Sequence, residues 1–267
     1  MKRKKQRSFL SIFFLLICIV SLSIAGYLLW GHIQEETEEQ KLEKDTINEF
    51  VQTPEKLPEE LPDKTNEGDA SNDGYVFDWD GMLAANPDVV GWIRFDNPSR
   101  INYPIVQGDS NQTYLTQNWK GQYSVYGSIF LNKNNASDFT DANSILYGHR
   151  MISGAMFGDL KKYGEQSFMD NNPYFYIYTP DGKKRTYEIY VYAQVKDASD
   201  VYTMNFKSSE EKIDYFEKMK ARTITSRDVE LDEFDTIMTL STCARYGYMN
   251  RIVIQGKLIS IEVNRQP

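Results

Sequence analysis

The chain of 267 residues has only two cysteines and two histidines. Disulfide-stapled mini-proteins and Cys/His zinc modules need clusters of these residues, and a collagen-like repeat needs far more than 16 glycines, so all three classes are excluded. Cys18 and His32 lie in or beside an apolar N-terminal run, whereas Cys243 and His149 are the only residues of their kinds in the rest of the chain. The single thiol outside that run cannot form an intramolecular disulfide, which favours a reactive role.

Basic residues are scarce where a nucleic-acid-binding surface would need them. The formal charge of the whole chain is -8, and residues 1–7 contribute five positive charges. Residues 31–74 contain 14 acidic and 4 basic residues, a net charge of -10, which leaves -3 for residues 75–267. Because the sequence shows neither a basic stripe nor a metal-ligand motif, we expect no nucleic-acid partner, no metal site and no cofactor.

The apolar run predicts one membrane-spanning segment. Residues 1–8 form a basic tail, and residues 9–30 carry no charge and are rich in Leu, Ile and Phe. A helix of about 20 apolar residues spans a bilayer, and basic residues stay on its cytoplasmic side. We therefore expect a single-pass anchor in the cell membrane, with a cytoplasmic N-terminus and an extracellular remainder. The alternative is a signal peptide cleaved near Ser23-Ile24-Ala25, but the run exceeds the usual ~7–15 apolar residues of such peptides.

An acidic segment follows the anchor. Its first part has helix-forming composition, and from Thr53 onward it is rich in Pro, Glu, Asp, Asn and Gly, as extended linkers are. We expect a stalk or linker over residues 31–74 that holds a globular domain, residues 75–267, away from the membrane. A solvated, disordered segment is a simpler description that is compatible with this one.

Short β-like runs dominate residues 75–267. Several of them alternate polar and apolar residues, as half-buried strands do. This density of strands predicts a mostly β fold with helices, built on a closed or nearly closed β-barrel. The runs are Val89–Phe95, Asn102–Val106, Gly127–Leu131, Ser144–Tyr147, Tyr174–Tyr178, Arg185–Val195, Thr236–Leu240 and Arg251–Ile259.

Helical patterns interrupt the strands at three places: Asp78–Ala85, Ala155–Tyr163 and Ser208–Arg222. The last is the strongest, because a serine can cap its first turn, acidic residues follow that cap, and basic residues occupy its last turn. Ile213, Phe216 and Met219 would lie on one face of it.

Three residues whose side chains could take part in catalysis fall at the ends of predicted strands. Cys243 follows an apolar strand, His149 ends another after the small Gly148, and Arg251 opens the strand that comes after the Cys243 loop. A thiolate is a nucleophile, an imidazole can donate and accept protons, and a guanidinium can bind an oxyanion. A buried structural cysteine, a hydrogen-bonded structural histidine and a surface arginine are the alternative interpretation.

Together these residues resemble the sortases, and more specifically the class B sortases of Gram-positive cell surfaces. The resemblance covers residues from about Tyr75 to Ile261, and it depends on the order and spacing of several motifs behind a membrane anchor. It implies an eight-stranded sortase-type β-barrel with an N-terminal helical extension, and a long helix before the cysteine strand. The motifs are Asn102-Tyr-Pro-Ile-Val-Gln-Gly, Gly127-Ser-Ile-Phe-Leu, Leu146-Tyr-Gly-His149, Met156-Phe-Gly-Asp-Leu and Leu240-Ser-Thr-Cys243, followed by Arg251.

The resemblance also implies an activity. Class B sortases are cysteine transpeptidases that cleave the C-terminal sorting signals of surface proteins, typically of the NPxTN kind, after Thr through a thioacyl-enzyme. They transfer the acyl group to an amine of the cell-wall peptide, in a peptidoglycan precursor or cross-bridge. Cys243, His149 and Arg251 match the family's nucleophile, acid/base and oxyanion-stabilising arginine. The groove and oxyanion positions correspond to Asn111, Leu115, Tyr202, Ser241 and the backbone N–H of Ala244.

One departure from the family concerns the residues after the nucleophile. Some class B members have acidic residues there, with an aspartate proposed to assist the histidine, but this chain reads Cys243-Ala244-Arg245-Tyr246. A Cys-His-Asp triad is therefore not supported, and a Cys-His-Arg site is preferred. Arg245 is a rival to Arg251, and we favour Arg251 because it opens a strand whereas Arg245 lies in a loop.

Three other functions fit the same sequence. A sortase that polymerises pilins would transfer the acyl group to a pilin lysine and form isopeptide bonds. A surface cysteine hydrolase would transfer it to water. A non-catalytic wall-binding module would bury Cys243 as an unreactive side chain. The acceptor of the acyl group and the reactivity of the thiol distinguish these functions.

Overall fold

A computed structural model of the chain describes residues 2–53, 73–196, 200–242 and 250–263. The chain divides into two compact units, Met1–Glu49 and Phe50–Pro267. The first unit consists of the helix α1 (Lys2–Phe50), which continues into the start of the second. From Phe13 onward, α1 is long and apolar enough to cross a membrane, by length and composition, with a mean hydropathy of 2.4 in its most apolar window.

The second unit is built on a closed β-barrel. Its strands are β3 (Val89–Arg94), β4 (Asn102–Val106), β5 (Ile129–Leu131), β6 (Asn143–Gly148), β7 (Tyr174–Thr179), β8 (Lys183–Lys196), β10 (Ile237–Thr242) and β11 (Asn250–Val263). These eight strands are arranged in the order β11-β10-β6-β5-β4-β3-β7-β8, and pairing of β11 with β8 closes the barrel. The eight-stranded barrel expected from the sequence is confirmed, and each of the eight predicted runs overlaps one barrel strand.

Three very short strands lie outside the barrel and were not predicted. Strand β1 (Val51–Gln52) pairs antiparallel with β2 (Val76–Phe77), and β9 (Thr225–Ser226) pairs with β8. The β1–β2 ribbon brings residues 51–52, which the sequence assigned to the stalk, into the second unit. Two residues are too few to show the alternation that identifies a strand in a sequence.

Helices occur between the strands of the second unit. Two predictions match closely: α2 (Trp79–Ala85), capped by Asp78, and α4 (Ser209–Ala221), capped by Ser208. The helix predicted over residues 155–163 begins only at Gly158 and is a 3₁₀ helix, Gly158–Gly164; Met156 has a φ of 52°, which excludes it from any right-handed helix. The helix α3 (Gln166–Asn171) was not predicted.

Among the described residues, two hydrophobic clusters contribute to the stability of the second unit. The larger one fills the barrel and includes Ile93, Leu146 and Leu240. The other lies between α4 and strands β8, β10 and β11, where Phe216 and Val253 are almost completely buried. Burial of such a side chain contributes about 1.5–3 kcal/mol. Helix α4 is therefore anchored on strands that include β10, whose carboxyl end directly precedes Cys243 in the sequence.

Candidate active site

The candidate site is organised by two neighbouring parallel strands. Strands β6 and β10 pair in register, with Thr242 opposite Gly148 at their carboxyl ends. A side chain at position 148 would collide with Ile129 at 2.5 Å and with Phe157 at 2.8 Å, so glycine allows this close packing. His149 is the next residue after β6. Cys243 is the next residue after β10 in the sequence, and it lies outside the described residues.

His149 is half-buried and bound to a backbone carbonyl. Its Nε2 lies 2.7 Å from the carbonyl oxygen of Leu115. Because a carbonyl can only accept a hydrogen bond, this contact assigns the proton of a neutral imidazole to Nε2 and leaves the Nδ1 lone pair for proton exchange. Leu115 therefore contacts the proposed acid/base through its backbone, in addition to any role of its side chain in a groove.

Gly127 permits this contact. Its φ is +59°, and a Cβ at this position would lie 2.6 Å from the carbonyl oxygen of Tyr114, 2.8 Å from that of Leu115 and 2.9 Å from Cδ2 of His149. Two of these neighbours are backbone atoms that cannot move independently of the turn. Any side chain at position 127 would therefore displace the turn from His149.

The turn that presents the Leu115 carbonyl group is itself held in place by hydrogen bonds of Tyr114. Residues Thr113–Leu115 form a 3₁₀ turn, and the hydroxyl of Tyr114 donates to Asp88 at 2.7 Å and accepts from Asn86 at 2.8 Å. Burial raises the pKa of Tyr114 to about 12, with the Asn86 hydrogen bond opposing the rise and Asp88 adding to it. The hydroxyl therefore keeps its proton at neutral pH and remains a donor to Asp88.

Arg251 lies at the end of β10, as its position at the start of β11 predicted. The two strands are antiparallel, with Ser241 opposite Val253. The half-buried Arg251 donates from Nη1 to the carbonyl oxygen of Thr242 at 3.5 Å, and the N–H of Ile252 donates to the Thr242 hydroxyl at 2.9 Å. A permanent positive charge is thus held beside the last described residue of β10.

A second group of side chains surrounds Ser241 and Tyr147, the pair that directly precedes Thr242 and Gly148 on β10 and β6. The hydroxyls of Tyr202 and Ser241 are 2.8 Å apart, and Ser241 is completely buried. Tyr147 is the strand neighbour of Ser241, and its ring lies 6.0 Å from that of Tyr202. Tyr147 was not predicted as a site residue, although it lies in β6 only two residues before His149.

The remaining predicted site residues differ in their surroundings. The side chain of Asn111 accepts a hydrogen bond from the N–H of Lys133 at 2.8 Å, which ties it to the segment after β5. Ala244 and its neighbour Arg245 lie outside the described residues, as Cys243 does. Within the described ranges, no group of three or more His, Cys, Asp or Glu residues could hold a metal ion.

The described site combines a histidine of assigned tautomer, an arginine at the end of β10 and a neighbouring pair of hydroxyls. Residues 96–259 match the Sortase domain family. Sortase B of Listeria monocytogenes is 36% identical over 179 residues, which cover 66% of this chain and 71% of that protein. A Staphylococcus aureus sortase B-substrate complex has a TM-score of 0.65 at 28% identity and covers 68% of this chain and 84% of that one. Sortase B from B. anthracis, solved in complex with AAEK1, has a TM-score of 0.69 at 29% identity and covers 85% of this chain and 99% of that one.

Proposed function

We propose that this chain, which belongs to the class B branch of the sortase family and is therefore a cysteine transpeptidase, acts on surface proteins with an NPxTN-type C-terminal sorting signal. In this proposal, the enzyme cleaves after the Thr and transfers the acyl group to an amine of the cell-wall peptide. The solved complex of a related sortase B with its substrate supports a peptide as the first substrate.

The observation that carries the proposal is the register of β6 and β10. Because Thr242 pairs with Gly148, the chain leaves both strands at the same barrel edge. Consecutive Cα atoms are 3.8 Å apart, so Cys243 cannot be far from the end of β10, and His149 stands directly after the end of β6. This arrangement supports a thiol and an imidazole within reach of one scissile bond.

Acylation uses these two residues and Arg251. The Cys243 thiolate attacks the Thr carbonyl carbon and forms a C–S bond, and the carbonyl oxygen becomes an oxyanion that accepts hydrogen bonds from Arg251. The C–N bond then breaks, and the imidazolium of His149 gives its Nδ1 proton to the departing amine. A thioester between Cys243 and the Thr remains on the enzyme.

Deacylation reverses the proton transfer with a different amine. The incoming amine attacks the thioester carbon, His149 removes its proton, and Cys243 leaves as the thiolate. The product is a new amide bond, and the catalytic residues return to their starting state. The bound geometry must favour the amine over water, because both can attack a thioester.

The groove for the sorting signal would run beside the acylation site. We assign Tyr202 and Ser241 to it because their hydroxyls form a polar pair next to the end of β10. Leu115 and Asn111 would line the opposite side, and the Ala244 N–H would assist Arg251 at the oxyanion. Residues 9–30 would anchor the enzyme in the membrane with residues 1–8 in the cytoplasm.

Cleavage of a labelled NPxTN peptide by the purified full-length chain in detergent tests the proposal. With a peptide amine present, mass spectrometry is expected to find the Thr acyl group joined to that amine. Cys243→Ala should abolish cleavage with an unchanged Tm, because only the nucleophile is lost. A product that contains only water-derived carboxylate, with the amine in excess, would identify a hydrolase. Full cleavage by Cys243→Ala would contradict the proposal. If the wild-type chain cleaves no peptide and its thiol does not react with a methanethiosulfonate reagent, the protein is a non-catalytic module.

A further inference from the structure

A network of buried polar side chains lies behind the candidate groove. Asn143 on β6, Thr239 on β10, and Gln255 and Tyr190 on β11 and β8 are completely buried, and Tyr215 on α4 is nearly so. Polar groups of this kind cost stability unless every one is hydrogen-bonded. Their arrangement over four adjacent strands and a helix therefore needs an explanation beyond packing.

The direction of each hydrogen bond in the network is determined by the chemistry of its members. The Tyr190 hydroxyl donates to Gln255 Oε1 at 2.8 Å. The amide of Gln255 has two N–H groups, and it donates one to the Tyr215 hydroxyl and one to the Thr239 hydroxyl, the latter at 2.9 Å. Since an amide nitrogen cannot accept a hydrogen bond, each of the two hydroxyls is free to donate its own hydrogen bond to another acceptor.

Both branches end on the same turn, which consists of residues 200–203. The Tyr215 hydroxyl donates to the carbonyl oxygen of Val201 at 2.9 Å. The Thr239 hydroxyl donates to Asn143 Oδ1 at 2.8 Å, and Asn143 Nδ2 donates to the carbonyl oxygen of Thr203 at 2.9 Å. The network therefore supplies donors to the carbonyl groups on both sides of Tyr202.

Val201 is completely buried, so its carbonyl group needs a donor from within the protein. Tyr202, the next residue, instead contacts Ser241 through its hydroxyl, and its ring lies beside that of Tyr147 at a tilt of 37°. The position of the Tyr202 hydroxyl thus depends on how firmly the turn is held on either side of it. Arg222, at the carboxyl end of α4, also binds this turn through Asp200, but both side chains of that ion pair are exposed, so it constrains the turn less than the buried hydrogen bonds do.

We propose that Tyr215 and Asn143 are positioning residues that hold the 200–203 turn and so set the affinity of the groove for the sorting signal. The inference depends on the proposed function, because it assigns Tyr202 to the groove. Loss of one branch would let the turn occupy other positions, and only the fraction with Tyr202 in place would bind the peptide well. The proposal therefore predicts an effect on KM with little effect on kcat.

Two conservative substitutions in the network separate positioning from general stability. Tyr215→Phe removes the shorter of two hydrogen bonds to the Val201 carbonyl oxygen, the other coming from Asn143 Nδ2 at 3.4 Å, whereas Tyr190→Phe removes a hydrogen bond to the same Gln255 and leaves both branches to the turn intact. Both variants should have a lower Tm by a similar amount. We expect Tyr215→Phe to raise KM for the NPxTN peptide by about three- to tenfold, as the loss of one hydrogen bond allows, and Tyr190→Phe to leave it within about twofold.

Amide hydrogen exchange of residues 200–203 provides a readout that needs no activity. Exchange in this turn should be faster in Tyr215→Phe than in Tyr190→Phe, and Thr239→Val should accelerate it through the other branch if Tyr215→Phe does not fold. Equal KM values and equal exchange in the two tyrosine variants would overturn the inference. If the wild-type chain cleaves no sorting peptide, the proposed function fails, and hydrogen exchange still decides whether Tyr215 holds the turn.

Discussion

At the scale of single residues, a backbone contact decides which atom of His149 can do chemistry. The Leu115 carbonyl oxygen holds Nε2, and Gly127 leaves the space for that contact. Sequence reasoning found His149 from its position at a strand end, but it could not find this contact. A carbonyl group is present at every residue, so its role in a site leaves no compositional signal.

Gly127→Ala is therefore expected to impair catalysis. The new methyl group would displace the turn at Leu115 and the ring of His149, and we expect kcat/KM to fall by at least about tenfold in the peptide cleavage assay, since small misplacements of a catalytic group are costly. Gly121→Ala is the matched control, because Gly121 also has a positive φ, +79°, but no atom lies within 4 Å of its added Cβ. It should lose stability through backbone strain and keep its kcat/KM. Equal losses of kcat/KM in the two variants would contradict the role of Gly127.

The choice between two arginines is also tested at this scale. Arg251 is bound at the end of β10, and its guanidinium is proposed to stabilise the oxyanion. Arg251→Gln should lower kcat by about 10²–10³-fold, as the loss of an oxyanion donor does in other enzymes. Arg245→Gln removes the same charge two residues after Cys243 in the sequence and should change kcat far less. The reverse ranking in single-turnover acylation would assign the role to Arg245.

At the scale of elements, patterning predicted the eight barrel strands and the helices α2 and α4. Their signals are local: alternation along a strand, and an apolar face with a capping residue on a helix. The errors occurred where tertiary contacts decide the structure. Residues 149–157 form an irregular loop with Met156 in a left-handed conformation, and the pairs β1–β2 and β8–β9 depend on partners that are distant in sequence. The hydroxyl pair of Tyr202 and Ser241 likewise joins residues that only the fold brings together.

Helix α4 allows the contribution of a capping residue to be measured. The Ser208 hydroxyl accepts a hydrogen bond from the N–H of Glu211 at 3.2 Å. Ser208→Ala should reduce the free energy of unfolding by about 1 kcal/mol, because the N–H loses its partner at the first turn. Ser209→Ala, one residue into the helix at an exposed position, serves as the control and should have almost no effect. Urea unfolding of both variants checks this, and equal stabilities would show that the cap contributes nothing.

At the scale of the whole molecule, the division after Glu49 predicts where the chain can be shortened. Phe50 and Val51 belong to the second unit: both are buried, the Phe50 ring packs edge-on against Trp119 with 5.5 Å between centroids, and its carbonyl group accepts a hydrogen bond from the N–H of Asp78 at 2.8 Å. The apolar part of α1 has exposed side chains, among them Phe14 and Leu22. The apolar part of α1 and Phe50 at its carboxyl end therefore differ in exposure.

Removal of residues 1–30 is expected to give a water-soluble protein with an unchanged Tm, because the second unit loses none of its buried residues. This truncated chain should cleave the free NPxTN peptide with a kcat/KM within about twofold of the full chain.

Removal of residues 1–53 also deletes Phe50 and β1. The lost burial of two apolar side chains, about 1.5–3 kcal/mol each, should lower Tm by several degrees. Thermal unfolding of the two truncated chains, measured side by side, tests the boundary. Equal Tm values would show that the β1–β2 ribbon does not stabilise the barrel, and failure of the longer chain to fold would show that the second unit depends on residues 1–30.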